Sequence, residues 1–107
     1  PSKANCSPEI CDWIDTYEST FGNMPNIGSA YGYMYMDITA KALEIAGRDL
    51  TTDSFLNALE SINDYKIPFG DTVLSWSPEK HLGANVAYLF EVQNGTFIQT
   101  DNKEYTY

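Results

Sequence analysis

The chain has 107 residues, of which 43% are hydrophobic, 14% aromatic and 20% charged, a balance too apolar for a disordered tail and sufficient for one domain around a single core. Fifteen acidic residues against six basic ones leave a net charge of −9, and the cations Lys3, Lys41, Arg48, Lys66, Lys80 and Lys103 are scattered singly. A field of that sign repels nucleic-acid backbones and anionic membrane faces, so nucleic acid is not an expected partner and the acidity reads as a solubility feature.

No apolar run approaches the roughly 20 residues that a bilayer crossing takes, and no charged-then-apolar leader opens the chain. It begins Pro1-Ser2-Lys3 without an initiator Met, which fits a mature or excised segment. Cys6 and Cys11 are the two cysteines, and their spacing suits neither a zinc knuckle nor a thioredoxin-like pair. Two readings stay open: a small disulfide loop stapling the first helix in an oxidising compartment, or two unrelated thiols in a reducing one.

Ser7 before Pro8, with Glu9 and Asp12 following, predicts a helix start with a hydroxyl cap and proline in the first turn. Ile10, Trp13, Ile14, Tyr17 and Phe21 continue it with amphipathic spacing, and Gly22 supplies a left-handed stop. Met24 to Gly28 reads as an extended connector. The stretch from Ser29 to Gly47 then reads as a second helix whose polar residues Asp37, Lys41, Glu44 and Arg48 keep to one narrow edge. A helix so apolar around the rest of its circumference wants partners on more than one side, which implies burial between layers of something larger.

Leu50-Thr51-Thr52-Asp53 introduces a third helix with Thr51 or Thr52 as cap, an apolar face of Leu56, Leu59 and Ile62, and a polar face of Asp53, Asn57, Glu60 and Asp64. The segment from Asp64 to Gly70 breaks the pattern, and the periodicity changes to that of strands. Asp71 to Ser77 is a short strand, followed by a polar loop from Pro78 to Gly83. Val86 to Gln93 and Thr96 to Thr100 flank Asn94-Gly95, a two-residue turn signal, so an antiparallel hairpin is expected. Apolar residues on both faces of Val86 to Gln93 predict cover on both sides. The tail from Asn102 to Tyr107 carries no pattern and is expected to fray. Three helices followed by three short strands is the α+β layout that results.

Chemistry has little visible apparatus. His81 is the sole histidine and lacks partners at the spacing that acid–base catalysis or a metal triad needs. Asp12, Asp15 and Glu18 form a solvated edge without the oxygen-ligand spacing of a calcium loop. No phosphate cradle, nucleophile elbow or activated Cys/His pair is present, so neither an enzyme nor a cofactor is expected. Tyr31, Tyr33 and Tyr35 stand near the start of the second helix beside Gly28, Ser29 and Gly32. Phenol rings beside free helical N–H groups are suited to the rim of a small-ligand pocket, with core packing as the alternative.

The order of these pieces resembles a known family. Tyr17-x-x-x-Phe21-Gly22, Gly32-Tyr33 leading to Asp37 and Ala42-Leu43-x-x-Ala46-Gly47, Leu50-Thr51, Phe69-Gly70-Asp71, His81-x-Gly83 and the run Tyr88 to Gly95 are similar to the closing third of a type 1 periplasmic solute-binding protein. The closest subgroup is the branched-chain amino acid type of extracellular ligand-binding receptor, which feeds ABC transporters. The resemblance implies one single unit, 1–107, from the carboxyl-terminal portion of a two-lobed α/β fold that closes on an amino acid or related solute. It implies a permease and an ATPase as partners of the full-length protein, and a location in the periplasm or on the outer face of the envelope, with a lipid anchor upstream as one form of it. Tyr31, with Ser29 and Tyr33, maps to the approach where one ring walls the ligand's side chain, and His81 to a loop-ordering position. Tyr33-Met34-Tyr35 departs from the family's usual tyrosine-aspartate-alanine start. The alternative is a self-contained α+β protein-interaction module; an isolated fragment could expose the same apolar faces and form a dimer.

Overall fold

The computed structural model describes residues 3–70, 72–101 and 103–106. Asp71, where the first expected strand begins, and Asn102 and Tyr107 of the tail lie outside the described residues. A short 3-10 turn, Lys3–Asn5, leads to three α-helices, α1 (Pro8–Phe21), α2 (Ile27–Ala46) and α3 (Thr52–Glu60). Short strands follow: β1 (Tyr65–Lys66), β2 (Val73–Leu74), β3 (Val86–Ala87), β4 (Phe90–Gln93), β5 (Thr96–Gln99) and β6 (Tyr105–Thr106). They pair two by two, each pair antiparallel: β1 with β2, β3 with β6 and β4 with β5.

Each helix starts where a side chain closes a free backbone N–H. Ser7 Oγ accepts from the N–H of Ile10 at 3.4 Å, and Gly22 ends α1 with φ of 73° while its N–H donates to the Glu18 carbonyl. α2 begins before Ser29, inside the segment expected to be a connector. Asn26 is its cap: Oδ1 accepts from the Ser29 N–H at 3.1 Å, and Ser29 Oγ accepts from the Asn26 N–H at 3.4 Å. Ile27 and Gly28 therefore form the first turn. A Cβ on Gly28 would sit 3.1 Å from Asn26 Oδ1, so the glycine that looks like a breaker leaves room for the cap. α3 opens with the same reciprocal device, Thr51 with Ser54, at 2.9 and 3.0 Å.

α2 packs along α3. Met34, Ile38 and Ala42 on one stripe of α2 join Ala58, Ile62, Tyr65 and Leu74 in one buried cluster, with Phe55, Leu59, Ile67 and Trp76 partly buried against it. The first half of α2 is also met by α1. Trp13 lies 5.5 Å from the Tyr33 ring and 4.9 Å from Phe69, centre to centre, and Ile14 is fully buried. Tyr65, buried under α2, donates its hydroxyl to Asp37 Oδ2 at 2.7 Å, with Lys41 Nζ 5.8 Å from the ring centre. Burial, then the hydrogen bond and negative charge of Asp37, hold the phenol proton well above the usual range.

The strand region departs from the sequence reading in several ways. Val86 to Gln93 is broken at Tyr88 and Leu89 into β3 and β4, which pair with different partners. The expected cover on both faces is absent: β4 and β5 are exposed throughout, with Val92 65% and Phe97 74% accessible. In that hairpin Gln93 pairs with Thr96, and Asn94 and Gly95 take φ of 51° and 79°. The tail is paired, since Tyr105 and Thr106 lie beside Ala87 and Val86, and the break after α3 contains β1. Asp64 leaves the helix it was assigned to, with φ of 55°. A radius of gyration of 16.6 Å exceeds the roughly 13 Å of a close-packed chain this long, and the β4–β5 hairpin packs chiefly against itself.

Candidate ligand-binding site

Ser29, Tyr31 and Tyr33 all lie in the first two turns of α2, held there by the Asn26 cap. Their side chains diverge. Ser29 Oγ is part of the cap and also donates to the Tyr17 hydroxyl at 2.9 Å, tying α2 to α1. Tyr31 is half exposed and stacks on Tyr35 one turn later, ring centres 6.1 Å apart and planes 19° from parallel. Tyr33, two positions further than Tyr31, points to another side because a helix turns about 200° in that distance. It joins the aromatic cluster with Trp13 and Phe69, whose ring centre is 5.8 Å away. The structure therefore brings Tyr31 together with Tyr35, and Tyr33 with Trp13 and Phe69, but does not converge the pair on one hollow.

An apolar hollow of about 380 Å³ opens next to Tyr35, between α2, α3 and the residues after β2. Its walls include Met34, Ile38, Leu56, Leu59, Leu74 and Trp76. His81 stands at its edge, with Nε2 2.9 Å from Glu60 Oε1, so the loop is tied to the last residue of α3. Trp76 is seated on Gly83, where an added Cβ would come within 2.6 Å of the indole. Glu60 and Trp76 were missed as site candidates, whereas Tyr35 was read with Tyr31 and Tyr33 as part of a pocket rim. Only the four-residue spacing of Tyr31 and Tyr35 hints at their shared face; nothing local links Glu60 to His81.

A second, polar hollow of about 460 Å³ is lined by Asp64, Ser75, Lys80, Tyr88 and Glu104 among others, with the Tyr88 hydroxyl donating to Glu104 Oε1 at 2.9 Å. On α1, Asp15 and Glu18 are not a bare edge: Lys3 Nζ lies 2.6 Å from a carboxylate oxygen of each, and their hydrogen bonds raise the ammonium pKa. Cys6 and Cys11 are joined as a disulfide with Cα atoms 5.6 Å apart. Among the described residues no group of three or more His, Cys, Asp and Glu is arranged to hold a metal ion. No helix among them is long and apolar enough to cross a membrane.

A family model described as periplasmic binding protein matches residues 3–96. The chain belongs to that family, in its type 1 branched-chain amino acid receptor group. Members of the family are typically non-enzymatic and bind small molecules in an extracellular or periplasmic location. No curated protein and no solved structure matches the chain.

Proposed function

We propose that this chain is the carboxyl-terminal portion of the substrate-binding component of an ABC transporter. The whole protein captures a small organic solute, an amino acid or a relative, by closure of two lobes and hands it to a membrane permease driven by an ATPase. The family match along residues 3–96 carries the reading. It is supported by the bare apolar surface on α2, where Tyr31, Met36 and Leu43 are between 42% and 67% exposed. Surfaces of that kind mark a contact with another layer of protein or a ligand. The Cys6–Cys11 bridge suits an oxidising, extracytoplasmic setting.

Tyr31 is the ring assigned to the solute's side chain, because it is accessible and its flat partner Tyr35 stiffens it from one side. Tyr33 serves the site by fixing α1 against α2, and Ser29 by holding the helix start. A thermal-shift screen of amino acids, aromatic acids and small amides on the full-length parent tests the proposal, since a ligand that binds the folded form raises the melting point. One solute class should raise it, and Tyr31→Ala should shrink that rise. The isolated 107-residue piece should bind the same solute far more weakly, since it offers fewer contacts against the same ordering cost. Equal affinity of piece and parent would overturn the two-lobed reading.

A further inference from the structure

The apolar hollow beside α3 has a feature that the proposed solute site does not use: a carboxylate largely shielded from water beside a hydrophobic wall. The Glu60 side chain is 13% exposed, whereas that of His81, whose Nε2 lies 2.9 Å from it, is 64% exposed. Glu60 is also the last residue of α3. The carboxyl end of a helix carries partial negative charge, so a carboxylate there adds to a field of its own sign and calls for a cation. The net charge of −9 favours the same sign of ligand. A volume of about 380 Å³ is in the range of small-molecule pockets, which pair apolar walls with a few placed polar groups. Ser29, Tyr31 and Tyr33 take no part in its lining.

We propose that this hollow binds a small organic monocation, a primary ammonium on a flat apolar body. The ammonium takes the Glu60 carboxylate, displacing the imidazole of His81, whose exposed position on a loop leaves it free to swing outward. The apolar body lies between Leu59, Leu74 and the indole of Trp76, and the same indole face attracts the cation. An anion of equal size is rejected by Glu60. A neutral analogue leaves the ammonium's charge-assisted hydrogen bond unmade. The inference stands on the hollow alone and does not depend on the transport reading.

The test titrates phenethylamine, 2-phenylethanol and phenylacetate into the 107-residue chain while following tryptophan fluorescence, to which Trp76 in the wall contributes. Phenethylamine should give a saturable change, with the alcohol and the acid at least about tenfold weaker. Glu60→Gln should weaken the amine about tenfold and erase its advantage over the alcohol. Leu56→Trp, at a lining position that is 44% exposed, should fill part of the hollow and abolish binding even if the Glu60 variant fails to fold. Phe97→Ala, on the exposed β5 and outside the lining, should leave the titration unchanged. The proposal is overturned if the three probes bind alike, if none binds below about 10 mM, or if a folded Glu60→Gln or Leu56→Trp variant binds the amine as the parent chain does.

Discussion

Tyr65 shows how a single residue couples burial to charge. Its ring is enclosed by the α2–α3 cluster while its hydroxyl reaches Asp37. The folded pKa lies above the unfolded value of about 10. Below pH 10 both states keep the proton and stability is undiminished. Above it the unfolded chain ionises while the folded one does not, so stability falls as pH rises. Urea midpoints measured from pH 8 to about 11.5 should decline in the native chain, and Tyr65→Phe should flatten that decline while costing about 1 kcal/mol at neutral pH for the lost hydrogen bond. Gly83 is the second decisive residue. With only 2.6 Å between an added Cβ and the indole of Trp76, Gly83→Ala must push the ring away and should lower stability by about 1–3 kcal/mol. Unchanged Trp fluorescence and melting in that variant would refute the contact. The sequence shows Gly83 as loop punctuation; its job as a seat for an indole seven positions earlier is invisible until the loop folds back.

Helix boundaries were the most legible elements, because caps and stops depend on residues within a few positions. Ser7-Pro8, Gly22, Thr51 and Gly47 all act where their residue types suggest. The start of α2 was the exception: Pro25 and Gly28 disguised Asn26 as part of a loop, although Asn with Ser three residues on is itself a capping pattern. Asn26→Ala should cost about 1 kcal/mol, read as a lowered urea midpoint, and should loosen Tyr17 from Ser29 as well. The strands were less legible. β1, β3 and β6 are two residues each, too short to carry a period, and β6 exists only because β3 lies beside it. Apolar alternation in Val86 to Gln93 signalled two covered faces, yet in this chain those faces are open.

At the scale of the whole molecule the distribution of apolar surface governs behaviour. Ile27, Met36, Leu43 and Ile45 on α2 and Phe90, Val92 and Phe97 on the hairpin are exposed, so the isolated chain should self-associate. Sedimentation should show mass rising with concentration, and Met36→Lys with Leu43→Lys should reduce it if α2 is the sticky face. The disulfide gives another global handle. Closing so small a loop constrains the unfolded chain by about 2 kcal/mol, so dithiothreitol or Cys6→Ser with Cys11→Ser should lower the melting point by several degrees, and identical melting with and without reductant would count against the bridge.

By itself the sequence determined the three helices, the caps of α1 and α3 and the family, because those rest on local backbone chemistry and on the order of motifs along the chain. Tertiary structure alone decided that Tyr33 meets Trp13 and Phe69, and that Glu60 and His81 close over an apolar hollow. Such pairings join residues that are distant in sequence, and their geometry is set by how α1, α2 and α3 stack, a property that no short window of residues encodes.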